Sequence, residues 1–282
     1  MQGTIAQIVA LTTWGNAAIG AASVCGDWSL YPNNSTFAFC ENVRFVDLNR
    51  KGNGWDEGPH SADPVEWFNR LKNEGVHGLR MSYRPSGDNH SAGANVPDRM
   101  LVAFVRGGGR WLIEAVKPKC SDYWEARWDI GDRERSDRRI WRVTYGRIAK
   151  NCESSRNQEP EAEELKNRLA RNLAAIAEFA HSHKQENFAK AFKSGLSRLC
   201  SPDPFVGVYH VDIAPPKFLP QYADQLLATA QAAWVFGGMG SWNDLGFDGD
   251  EQTKYERLSE ELYQLLNRAI VVAANSSFRK SQ

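Results

Sequence analysis

Two hydrophobic rhythms divide the chain. Before about residue 150, apolar side chains recur mostly at every second position, the period of a half-buried strand; after about residue 160 they recur every three to four, the period of an amphipathic helix. Residues 43–48, 78–83 and 100–106 alternate in the first manner. In VAFVRGGGRWLIEAVK, two aliphatic and aromatic runs flank Gly107, Gly108 and Gly109, which can adopt the positive φ of a tight hairpin. SDYWEARWDIGD and RRIWRVTYGRI continue the series across charged turn residues at 132–137, so four successive strands form an antiparallel meander. In the third strand Trp124, Ala126 and Trp128 share one face, and Glu125, Arg127 and Asp129 the other. That pattern gives a sheet with one dry and one wet side. The alternation over residues 4–13 predicts a further strand at the N-terminus.

One helix interrupts this half. In SADPVEWFNRLKNEG, Asp63 stands at the N-cap, Pro64 at the first helical position, and Glu66 is placed to reach back. Val65, Phe68 and Leu71 repeat on one face, and Gly75 ends the helix. After the polar stretch NCESSRNQEPEAEE, Leu165, Leu169, Leu173, Ile176 and Ala180 form one helical stripe. Phe188, Phe192, Leu196 and Leu199 form a second. FVGVYHVDIAPP reads as a single strand at 205–213, followed by helices over about 218–234 and 251–274. In the last of these Leu258, Leu262, Leu265, Ala269 and Ala273 recur at helical spacing. The pattern predicts an α+β fold: an N-terminal antiparallel sheet, a meander with one helix, then a mainly helical half packing on it. The two regions are 1–150 and 158–282. If the helical stripes cover the dry side of the sheet, they make one continuous core.

Composition narrows the classes. With 282 residues, 42% of them hydrophobic and ten tryptophans, the chain is expected to fold as one large or two modest globular domains. The formal net charge is zero, which argues against a general polyanion binder, but the charge is uneven. Residues 99–150 hold 13 basic and 7 acidic groups, a local +6, and each flank contributes −3. No apolar run reaches the roughly eighteen residues of a membrane span. The N-terminus has no basic residue ahead of its apolar part, and Gln7, Thr12, Thr13 and Asn16 interrupt it, so it does not read as a signal peptide. The expectation is a soluble cytoplasmic protein without a membrane partner. Its scattered cysteines, with no CxxC pair, read as free thiols, Cys25 and Cys40 being the two that an oxidising compartment would join.

Four places carry candidate chemistry. WVFGGMGSWNDLGFDGDE, residues 234–251, concentrates glycines, acids and aromatics, but it follows a helix, lacks a P-loop lysine and misses the GxGxxG spacing. As a calcium loop it has Gly246 and Tyr255 where carboxylates are needed. It reads better as a helix joint, with Asp248 capping the following helix. His210 and Asp212, two apart on the predicted strand, would face the same way, an arrangement suited to acid–base work or a metal. The long connection 82–99 brings Arg84 and His90 as pocket candidates. Finally, Arg106, Arg110, Arg127, Arg139, Arg142 and Arg147 lie among Trp111, Trp124, Trp128 and Trp141, a composition that can bind single-stranded nucleic acid.

GxSxG, HExxH, Walker A and dinucleotide motifs are all missing, which leaves the common enzyme classes unsupported. The first functional expectation is a protein-binding or assembly protein that meets a protein partner or its own copy through Trp234, Trp242 and Phe247. The alternative is a hydrolase or transferase with a His210/Asp212 acid–base or metal site. A third reading, nucleic-acid binding by the basic meander, is disfavoured by the seven interspersed acids and the neutral whole. The sequence names no cofactor.

Overall fold

The computed structural model describes residues 1–20, 30–52, 54–86, 96–104, 107–153 and 161–278. The fold is α+β, with strands first and helices packing after them. Six strands form one sheet: β1 (Cys40–Lys51), β2 (Gly54–Ser61), β3 (Gly78–Arg84), β4 (Arg110–Val116), β5 (Ser121–Ile130) and β6 (Trp141–Cys152). Their spatial order is β2-β1-β6-β5-β4-β3, antiparallel throughout except between β1 and β6, which run parallel. The expected meander is present as β3–β4–β5–β6. Its first member, however, is the 78–84 strand and not 100–104; residues 105 and 106 of that expected strand lie outside the described residues. The 100–104 segment begins inside a short helix, α3 (Asp98–Leu101), and turns through Phe104. Gly107–Gly109 therefore form no hairpin. Gly108 and Gly109 do take positive φ, +79° and +86°, because the chain passes hard against Val102 and the Tyr83 ring, where a Cβ would overlap.

The N-terminal segment is also corrected. Residues 4–13 lie in a helix, α1 (Gly3–Gly20), that is buried on almost every side. An element that is apolar all round carries no reliable period, so Thr, Ile and Val at alternating positions imitate a strand. Helix α2 (Pro64–Asn73) follows expectation: Asp63 Oδ1 accepts from the Glu66 amide at 2.9 Å, and Glu66 Oε2 accepts from the Ala62 amide at 2.7 Å. It lies on β1 through Trp67, which stacks on Phe45 with ring centroids 4.2 Å apart; Phe45 stacks in turn on Tyr145 of β6. Helices α4 (Ala162–Ser182), α5 (Glu186–Arg198), α6 (Gln221–Ala233) and α7 (Gly249–Asn275) close a ring, each packing on the next and α4 on α7. The buried side chains of the ring and of the sheet belong to one contiguous apolar cluster. Among the described residues no helix is long and apolar enough to cross a membrane.

Among the described residues strand β3 ends the sheet and pairs only with β4. Its outer backbone groups are met by two asparagines. Asn16 of α1 accepts from the Leu79 amide at 2.6 Å and donates to the Leu79 carbonyl at 2.8 Å. Asn275 of α7 does the same for Met81, at 2.8 and 3.0 Å. Each carboxamide imitates a neighbouring strand, so the edge is closed to pairing with another chain. Removing one strands a buried N–H and a C=O, at about 1–3 kcal/mol each. Asn16→Ala is therefore expected to lower unfolding stability by at least ~2 kcal/mol. Urea titration checks this, and a change below ~0.5 kcal/mol, the range of ordinary surface substitutions, would contradict the capping role.

Candidate functional site

The segment 205–213 is not a strand but a series of turns. Burial does not alternate along it: Val206, Tyr209 and Val211 are exposed, while His210 and Ile213 are buried. Among the described residues no strand lies beside it, and its polar backbone groups are met by side chains. Gln231 of α6 accepts from the His210 amide at 3.0 Å and donates to the His210 carbonyl at 3.2 Å. Asn34 and Trp14 both donate to the Asp212 carbonyl, at 2.6 and 3.0 Å, and Thr13 to that of Ile213, at 2.8 Å. The loop is fixed by α1 on one side and α6 on the other.

This anchoring brings His210 and Asp212 together through a residue that sequence reasoning missed. Ser35, at the start of a 3-10 turn, contacts His210 Nδ1 with its Oγ at 2.8 Å and donates that hydroxyl to Asp212 Oδ1. The Ser35 amide donates to Asp212 Oδ2 at 2.7 Å. A serine has one hydroxyl proton, and the carboxylate takes it, so Nδ1 must be the donor to Oγ. The imidazole is thereby held as the Nδ1–H tautomer, with its lone pair on Nε2. Among the described residues Nε2 has no hydrogen-bond partner. The order is not that of a nucleophilic triad, because the serine stands between histidine and carboxylate and points its proton away from the ring. Burial, together with the chain's amino terminus, pushes the His210 pKa down to about 4, against the opposing pull of Asp212. At neutral pH the ring is uncharged.

His210 lines a cleft of about 340 Å³ between the loop, the C-terminal half of α5 and the end of α6. Ser194, Arg198, Tyr209 and Gln231 contribute its polar wall, and Val208 and Ala232 its apolar one. The volume lies at the lower end for a small-molecule pocket. A serine 175 residues before the histidine leaves no local spacing to detect, so only the fold reveals the cluster.

The other candidates fare differently. Trp242 has no exposed surface: its Nε1 donates to Ser259 Oγ at 2.7 Å, and its ring meets Phe188, Phe192 and Tyr255. Trp234 and Phe247 are half-buried, with their rings against Tyr263 and Phe179. The aromatics expected on a docking surface thus bind the helix joint down, since apolar rings flanking two helix ends are drawn into the nearest core. Asn243 fastens the joint to Arg99, donating to its carbonyl at 2.6 Å. Asp244 Oδ2 accepts from the Gly240 amide, which uses a carboxylate that a metal would need. Asp248 occupies the N-cap of α7 without a side-chain bond; Gln252 accepts from the Phe247 amide instead. Arg84 is exposed over the Tyr123 ring, and His90 lies outside the described residues. Among the described residues no three His, Cys, Asp or Glu side chains gather as a metal site.

Four of the six arginines expected on the meander are paired; Arg139 has no ion pair among the described residues, and Arg106 lies outside them. Arg110 meets Glu125, Arg127 meets Glu57 and Asp129, and Arg142 meets Glu41. Arg147 lies on the dry face over Trp124 and reaches Asp47, Glu74 and Asp122 at 2.8–3.1 Å. His60 Nε2 joins Glu74 at 3.1 Å. Burial alone would raise the Glu74 pKa, but the Arg147 guanidinium holds it below the usual range. The His60 pKa is lowered, by burial first and by Arg147 second. An arginine in phase with Val143 and Tyr145 on β6 was the available signal for this hub.

A histidine whose folded pKa lies below its unfolded value near 6.5 binds fewer protons folded than unfolded. Stability must then fall as pH drops from 6.5 towards 4, His210 and His60 contributing in the same direction. His210→Gln is expected to lose less stability than the wild type between about pH 7 and pH 5. Urea melts at the two pH values test this, and equal losses would contradict the assignment of His210 as a buried neutral ring.

No protein-family model, curated protein or solved structure matches this chain.

Proposed function

We propose that the protein is a hydrolase or transferase in which His210 acts as a general base on a small ligand bound in the cleft. The observation that supports this reading is the double engagement of Ser35 Oγ with His210 Nδ1 and Asp212, which fixes ring orientation and tautomer and leaves Nε2 as the acceptor. Ser35 and Asp212 are positioning residues. His210 accepts a proton from a water or a substrate hydroxyl, and the imidazolium formed is stabilised through Ser35 by the Asp212 carboxylate.

A general base contributes about 10²–10⁴-fold. The test is turnover of 4-nitrophenyl acetate, 4-nitrophenyl butyrate and 4-nitrophenyl phosphate by the wild type, His210→Ala and Ser35→Ala. The expected result is hydrolysis of at least one class, lowered ~10²-fold or more in His210→Ala and less in Ser35→Ala. Because the base must be neutral, kcat/KM is expected to be flat at neutral pH and to fall as pH drops through about 4. No turnover of any class, or turnover unaffected by His210→Ala, would reject the reading.

A second reading keeps the protein-binding expectation but moves it to this loop. Val206, Tyr209 and Val211 are 73%, 65% and 60% exposed, more than isolated surface apolar residues require. Light scattering of the wild type and of Val206→Ser/Val211→Ser is expected, on this reading, to show a dimer that the double variant loses. A wild-type monomer would remove self-association.

A further inference from the structure

The cleft holds a cation that the protein does not neutralise. Arg198, the last residue of α5, is half-buried and lines the cleft together with residues of the His210 loop. Its Nη1 donates to two neutral acceptors, the carbonyls of Pro204 and Val206, at 2.5 and 2.9 Å. Its Nε is buried without a hydrogen-bond partner, and among the described residues it forms no ion pair. Among the described residues no Asp or Glu lines the cleft. The contrast with Arg147, which meets three carboxylates, is direct. A guanidinium drawn partly out of water without a counter-charge is unfavourable unless something supplies the charge, and its planar fork suits a carboxylate or a phosphate. The remaining wall is apolar at Val208 and Ala232, with hydroxyl donors on Ser194 and Tyr209, the Gln231 carboxamide, and Met1, whose amino group donates to the Gln231 carbonyl.

We infer that the cleft binds a small organic anion, a carboxylate or phosphate group on a compact apolar body, with its charge on Arg198 and its body between Val208 and Tyr209, facing His210. This rests on the cleft being the working site, as in the reading above, but not on His210 acting as a base. The anion also supplies what that base lacks. A neighbouring negative charge favours the protonated imidazole and raises its pKa from the depressed value towards the working range.

The test uses three probes of one shape: phenyl phosphate, benzoate and the neutral benzyl alcohol. Each is titrated into full-length protein with isotope-labelled histidine, following the His210 ring signals by NMR. The expected result is saturable binding of at least one anion with Kd below ~1 mM, at least about tenfold tighter than benzyl alcohol. The bound anion is expected to raise the His210 pKa, and the alcohol to leave it unchanged. Which anion binds distinguishes a phosphate head from a carboxylate. Arg198→Gln is expected to abolish the preference for the anion, and Arg198→Lys to retain it. Should Arg198→Gln fail to fold, because it also loses the loop carbonyls, the wild-type comparison and Arg198→Lys decide. No binding of either anion at ~10 mM, equal binding of the alcohol, or a folded Arg198→Gln that binds anions as the wild type does would each overturn the inference. Turnover plays no part in this readout. Anion binding without His210-dependent hydrolysis would keep the ligand site and reject only the acid–base role.

Discussion

A helix buried on nearly every side must find a partner for each polar side chain it carries, and α1 meets that requirement in a way that positions the rest of the molecule. Gln7 accepts from Tyr145 of β6 and donates to the Thr36 carbonyl beside Ser35. Thr13 holds the Ile213 carbonyl, and Asn16 completes the free edge of β3. At Gly15 a Cβ would overlap Leu79 and Phe68, so the helix approaches the sheet and α2 as closely as a backbone can. A buried amide or hydroxyl left without its partner costs a few kcal/mol, about as much as the loss of a large core side chain. These bonds therefore act as register pins between sheet, loop and bundle, where apolar contact alone would tolerate sliding.

The cleft depends on the same pins. His210 owes its place to Gln231 of α6, and Asp212 to Trp14 and Asn34, so the cluster with Ser35 assembles only when α1, the 3-10 turn and α6 are already together. Its charge setting differs from that of the sheet. Arg110, Arg127 and Arg142 there are matched by carboxylates from other strands of the sheet. Arg198 has no such match among the described residues. The two guanidiniums thus differ in setting: Arg147 meets carboxylates, Arg198 backbone carbonyls.

How much of this was legible follows from period and range. The one-sided helices α2, α4, α5 and α7 declared themselves, because one face meets the core and the other water, and the Asp63/Glu66 box is a purely local bond pattern. The dry and wet sides of β5 were equally plain, with Trp124 buried and Arg127 exposed. The failures share a cause. α1 has no wet side, so its period vanishes; 205–213 has alternating residues but, among the described residues, no neighbouring strand to pair with; the alternation over 100–106 predicts a strand, although Pro97 and Asp98 open a short helix there. Alternation reports a sheet only where a partner strand exists, and the sequence does not say where partners lie.

By itself, then, the chain's pattern determined the class of the fold, five of its strands and the helices of its second half, because those depend on contacts between residues within one turn or one pleat. The tertiary structure decided the rest: the parallel pairing of β1 with β6, the burial of Trp242, the capped edge of β3, and the meeting of Ser35 with His210 and Asp212. Each of these joins segments separated by many tens of residues, and only packing of the whole core fixes which distant groups satisfy one another.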